Sequence, residues 1–226
     1  MTIYENLQTI GERIRDAEQT YGREPGSVRL LAVSKRHPTT AITEAIAYGQ
    51  TAFGENYAQE MAEKAAELGK TDIEWHFIGP VQSNKTRQIA EIAHWVHTVD
   101  RLKIARRLGE QKPVAAEPVN ICLQVNISAE PSKSGVSPAE LPELAEQVAQ
   151  LPGIRLRGLM AIPAPEADSD RQRKTFAELR RLQEQLISSG LNLDTLSMGM
   201  TDDMEAAIAE GATIVRIGTA IFGARD

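Results

Sequence analysis

No stretch of this 226-residue chain approaches the roughly 18 consecutive apolar residues of a membrane span, and its first residues, MTIYENLQTIGERIRD, have no signal-peptide apolar core. A soluble, cytoplasmic protein that neither spans nor anchors to a membrane is expected. The single cysteine, Cys122, excludes an internal disulfide, and its setting in Asn120-Ile121-Cys122-Leu123-Gln124-Val125 reads as a small core position. Excess positive charge is lacking too. A net charge of −6 argues against an extended nucleic-acid surface, and the basic group Arg101, Lys103, Arg106 and Arg107 reads as a solvated helix face. There is no low-complexity tract, no composition break marking a linker, and no dinucleotide or Walker fingerprint. Nor is a histidine metal pair expected, because His94 and His97 are an odd separation apart and fall on opposite faces of a strand.

What is present is alternation. Ile3, Leu7, Ile10 and Ile14 recur at helical spacing ahead of Gly22. Leu30 to Val33 then reads as a strand buried on both faces. Further strands are expected at 51–54, 74–78, 94–99, 119–125, 154–161, 193–197 and 213–217, with helices at 41–48, 58–68, 82–93, 100–108, 171–188 and 201–209. Ser137-Pro138-Ala139-Glu140 carries the signature of a helix start; Asp100 and Thr201 are expected to cap their helices. Eight strands alternating with helices predict an α/β fold, a single-domain (β/α)8 barrel over residues 1–226 with an extra N-terminal helix. A doubly wound open sheet is the alternative. Only three residues follow Gly223, too few for a full last helix, so the N-terminal helix is expected to cover part of that gap.

In such a barrel the strand ends collect on one rim, the catalytic face. Lys35, closing the first strand, could be a Schiff-base former or a lysine paired with a carboxylate. Ser197-Met198-Gly199-Met200-Thr201 and Arg216-Ile217-Gly218-Thr219 follow strands seven and eight, where such barrels often bind phosphate; Asp202 and Asp203 would repel an anion placed close to them. A lysine amine and a phosphate cradle together suit a ligand with a carbonyl at one end and a phosphate at the other, either pyridoxal 5′-phosphate or a sugar phosphate. Arg216 either faces a pyridine nitrogen, weakening the ring as an electron sink, or pairs with a rim carboxylate. His76 reads as a hydrogen-bonded core residue and is kept as an outlying candidate for cofactor contact. Tyr57 reads as a packing residue.

The stretches Ala32-Val33-Ser34-Lys35, Phe53-Gly54-Glu55-Asn56-Tyr57, the run from Trp75 to Lys85, Ser197-Met198-Gly199-Met200 and the run from Arg216 to Gly223 resemble those of the YggS/PROSC family, the pyridoxal phosphate homeostasis proteins. The resemblance covers nearly the whole chain. It implies a barrel similar to the N-terminal domain of alanine racemase (fold type III), with pyridoxal phosphate held as an imine on Lys35. It further implies a phosphate site at Ser197, Gly199, Gly218 and Thr219, Arg216 toward the pyridine nitrogen and Asn56 near the ring, with Met198, Met200 and Thr201 as secondary candidates. Arg36-His37 departs from the Thr-Lys common in the family, and Thr201 replaces a common serine while keeping its hydroxyl. Lys133 matches a family lysine on the loop after strand five and could be a second acceptor, a charge partner or a solvated residue.

Three functions follow for weighing: a non-catalytic carrier that keeps and delivers pyridoxal phosphate, an amino-acid racemase using the same cofactor, and a Schiff-base aldolase. The family resemblance favours the carrier. Two-sided proton transfer needs a second base, which the similar racemases take from a further domain and a partner subunit, and no such domain is expected here. Apo forms of pyridoxal-phosphate enzymes are the implied recipients, and a monomer or weak homodimer is expected.

Overall fold

In a computed structural model, which describes residues 2–128 and 134–224, eight parallel strands close into a barrel. They are β1 (Arg29–Val33), β2 (Ala52–Glu55), β3 (Glu74–Phe77), β4 (Trp95–Val99), β5 (Val119–Gln124), β6 (Ile154–Met160), β7 (Thr195–Ser197) and β8 (Ile214–Ile217). Closure is made by β1 pairing with β8, Arg29 opposite Ile214 through Ala32 opposite Ile217, which excludes the open sheet. Around the barrel run α1 (Ile3–Thr20), α2 (Thr39–Ala47), α3 (Ala58–Leu68), α4 (Thr86–Ile92), α5 (Leu102–Gln111), α6 (Leu141–Ala149), α7 (Ser169–Ser188), α8 (Met204–Ala209) and α9 (Thr219–Phe222).

Strand alternation creates two cores. Outward-facing residues such as Phe53, Phe77 and Val96 pack beneath the helices. Inward-facing ones form small clusters, Leu31 with Ala52 and Ile214, and Trp95 with Cys122 and Met160. Cys122 is fully buried, and that burial pushes its thiol up to about 12, as suits a core residue. The short α9 leaves a gap, and α1 fills it. Thr2 and Glu5 form a capping box at its start, Leu7, Ile10 and Ile14 are buried, and Asn6 Nδ2 donates to Ile221 O at 2.8 Å.

Several helix starts differ from expectation. Helix α4 begins at Thr86, because residues 82–85 form a turn closed by Lys85 N–H donating to Gln82 O at 2.9 Å. Ser137 caps a turn, accepting from Glu140 N–H at 3.3 Å, and α6 starts only at Leu141. Asp100 does not cap α5; Arg101 occupies that position, and Asp100 pairs with its guanidinium at 3.3 Å. Thr201 does not cap α8 either, since a turn in which Asp203 Oδ1 accepts from Met200 N–H intervenes.

Candidate functional site at the barrel mouth

Lys35 continues the inward-facing series Leu31, Val33, so alternation carries its side chain to the carboxyl-terminal mouth. A cavity of about 270 Å³ opens there, walled by Val33, Lys35, Asn56, Ile78 and Ile162 on one side and by Met200, Thr201, Asp202, Arg216, Gly218 and Thr219 on the other. Lys35, Asn56, Arg216, Gly218, Thr219, Met200 and Thr201 are thus brought together. Ser197, Met198 and His76 are fully buried and do not line this cavity; Gly199 also lies off its wall. Lys133 lies outside the described residues.

Two glycines shape this mouth by close approach. A Cβ on Gly79 would lie 1.9 Å from Asn56 O, so only glycine after β3 lets the Asn56 loop sit against it. Gly199 has φ of 93° and a Cβ there would come within 2.6 Å of Ala207 Cβ on α8. Gly199→Ala combines left-handed strain with overpacking and should cost about 2–4 kcal/mol, read as a lowered urea midpoint at unchanged slope.

Arg216, on β8, contributes its guanidinium to the cavity wall. Nη1 donates to Ser197 Oγ at 2.8 Å and Nη2 to Ala161 O at 2.9 Å, engaging two of its five N–H donors. Burial lowers its pKa to about 10 against the opposing pull of Asp203, so it remains a cation at neutral pH. Ser197 therefore acts from below, holding the arginine. Both of these bonds go to neutral acceptors, a hydroxyl and a carbonyl, while the carboxylate of Asp203 acts on Arg216 through its charge.

The turn that bears Lys35 is clamped from outside the barrel by residues the sequence did not single out for a role. Lys64 of α3, 6% exposed, donates to Ser34 O at 2.8 Å, Glu55 Oε1 at 2.8 Å and Glu60 Oε1 at 2.7 Å. Ser34 Oγ also donates to Glu55 Oε1 at 2.6 Å, and Glu60 Oε1 accepts from Arg36 N–H. The residues on either side of Lys35 are thereby pinned, with Arg36 in the left-handed region at φ 62°. Burial raises the Glu55 pKa against the lowering effect of Lys64. Only the i, i+4 spacing of Glu60 and Lys64 could have hinted at the clamp. Tyr57 is 46% exposed; the Arg36 guanidinium lies over its ring, 5.7 Å from the centroid, and its hydroxyl accepts from Arg36 Nη2 at 3.1 Å.

The profile of the alanine racemase N-terminal domain matches residues 6–226. The chain is 61% identical over 225 residues to the pyridoxal phosphate homeostasis protein of Pseudomonas aeruginosa, covering 100% of this chain and 96% of the relative. It is 55% identical over 227 residues to the protein of that name in Escherichia coli K12, covering 99% and 97%. Among solved structures, PipY of Synechococcus elongatus with pyridoxal phosphate bound superposes with a TM-score of 0.86 at 38% identity, over 98% of this chain and 100% of that one. Alanine racemase from Corynebacterium glutamicum shares the fold, with a TM-score of 0.68 at 20% identity over 97% of this chain and 61% of that one. With a matched profile spanning almost its whole length and curated relatives matched nearly end to end, the chain belongs to the alanine racemase N-terminal domain family and, within it, to the pyridoxal phosphate homeostasis proteins.

Proposed function

We propose that this protein holds pyridoxal 5′-phosphate as an imine on Lys35 and acts in pyridoxal phosphate homeostasis, keeping and releasing the cofactor without turning over a substrate. The observation that carries this is one cavity joined by a lysine amine, a buried guanidinium and the start of α9. The residues fit the cofactor's three functional ends. Lys35 offers the amine that condenses with an aldehyde and releases water. The first-turn N–H groups of α9 at Gly218 and Thr219 suit a phosphate. A Cβ on Gly218 would be 3.2 Å from Val33 O, so glycine keeps this corner open. Arg216 suits the pyridine nitrogen, and Asn56, whose Oδ1 is buried without a hydrogen-bond partner among the described residues, offers a polar contact to the ring.

When bound, this cofactor supplies an electron sink for carbanion chemistry, and an arginine opposite its nitrogen weakens that sink. The wall supports holding over turnover. Among the described residues, its only side chain that titrates besides Lys35 and Arg216 is Asp202, and no histidine, tyrosine or cysteine lines it. Apoenzymes that use the same cofactor are the proposed recipients, and a monomer or weak homodimer the proposed state.

Protein incubated with pyridoxal phosphate should turn yellow, and borohydride should fix the cofactor on the peptide containing Lys35. A colourless protein that takes up none would overturn the reading in favour of an aldolase. Incubating the loaded protein with single L- and D-amino acids in deuterated water separates the remaining pair. Multiple-turnover exchange of the α-proton indicates a racemase, while stoichiometric reaction with release of the cofactor supports the carrier.

A further inference from the structure

Beneath the cavity, polar side chains form a line through the barrel interior. Arg216 Nη1 donates to Ser197 Oγ at 2.8 Å, and Ser197 Oγ lies 2.7 Å from His97 Nδ1. His97 Nε2 lies 2.8 Å from His76 Nδ1, and His76 Nε2 is 2.8 Å from Glu74 Oε1, off the line of an ideal hydrogen bond. Glu74, at the amino-terminal end of β3, is gripped by Arg29 at 2.7 and 3.1 Å. Both histidines and Ser197 are fully buried. Trp95 stacks on His76 at 5.6 Å between ring centres.

The two ends of this line set its direction. A guanidinium only donates, and an ionised carboxylate only accepts. One hydrogen in each gap then requires Ser197 O–H to donate to His97 Nδ1, His97 Nε2–H to donate to His76 Nδ1, and His76 Nε2–H to face Glu74. Both imidazoles are neutral in this arrangement. Reversing it would set a lone pair of His76 against the Glu74 carboxylate. Burial is the largest force against charging either ring; at His76 it outweighs the pull of Glu74 toward the charged form, and neighbouring cations add to it at both rings. Glu74, Arg29 and His94 face His76, whose pKa falls to about 4; His76, Arg216 and Arg29 face His97, whose pKa falls well below its usual value.

We propose that Glu74, His76 and His97 are positioning residues for Arg216. Acting through Ser197, they form a one-way hydrogen-bond chain from the amino-terminal face of the barrel to the cavity, which commits the Ser197 hydrogen to His97 and keeps its oxygen as an acceptor for the arginine. The consequence for the cofactor rests on the function proposed above; the chain itself does not.

The test therefore begins with apo-protein labelled with ¹⁵N-histidine. Long-range nitrogen–proton correlations should show His76 and His97 neutral, each with its hydrogen on Nε2, from pH 8 down to about 5. A hydrogen on Nδ1 of either ring, or a cationic ring in that range, would overturn the proposal whatever the protein binds. In Glu74→Gln the new amide can donate as well as accept, so the Nδ1–H form should appear; unchanged tautomers would also refute the role of Glu74. In protein loaded with pyridoxal phosphate, His97→Phe should weaken binding about tenfold and shift the pH titration of the absorption band. A lowered melting temperature with an unmoved band would reduce the pair to packing and sink the positioning role. If His97→Phe does not fold, the labelled parent and Glu74→Gln decide.

Discussion

Lys35→Ala should abolish borohydride-fixable cofactor completely while leaving the apo-protein's stability within about 0.5 kcal/mol of the parent, as expected for a position away from the packed core. Lys35 is only partly buried and is not among the core residues. Among the described residues nothing else on the cavity wall replaces its amine: the other cation there is Arg216, whose guanidinium stays protonated and is a poor nucleophile. Lys35→Arg should behave like Lys35→Ala in the borohydride assay, because it restores charge without a condensing amine. Absorbance and mass spectrometry after reduction read both variants. Retention of a fixed adduct in either would place the imine on another lysine and remove Lys35 from the proposed site.

The barrel was legible because each strand is short, apolar and followed by a glycine or polar break, and because α1 carries its apolar residues at helical spacing. The rim was legible for the same reason, since placing strand ends on one face gathers Lys35, Asn56, Arg216, Gly218 and Thr219 without knowledge of any contact. Depth was not. Ser197 sits two residues before Gly199 in a loop-like sequence, yet alternation turns its side chain inward beneath Arg216. His97 was legible as an inward or outward strand residue but not as the partner of His76, which is 21 positions away on the neighbouring strand. Helix starts were misplaced where a capping side chain closes a separate turn, as Ser137 does, because the same local hydrogen bond serves either structure.

The clamp around Lys35 was the least legible part, and it leads to the other large expected effect. Glu55 is fully buried on the outer face of β2, and Lys64 approaches it from α3. Lys64→Met keeps the aliphatic stem but removes the cation, leaving a carboxylate in the interior without its charge partner. Breaking a buried pair in this way costs about 3–5 kcal/mol. The loss should depend on pH. The folded-state pKa of Glu55 is already raised by burial, and without Lys64 it rises further. Such a group favours folding below its unfolded pKa and loses that contribution as pH rises through the folded value. The difference between Lys64→Met and the parent should therefore be small at acid pH and largest at neutral pH, measured as urea midpoints across that range. Adding Glu55→Gln to Lys64→Met removes the stranded charge and should recover much of the stability. It should not restore the cofactor site, because the Ser34 carbonyl and Glu60, which accepts from Arg36 N–H, would still lack the Lys64 ammonium that ties them together. A double variant that regains stability but binds pyridoxal phosphate more weakly than the parent would separate the clamp's structural role from its alignment of Lys35; parental binding would show that the turn holds its shape without it.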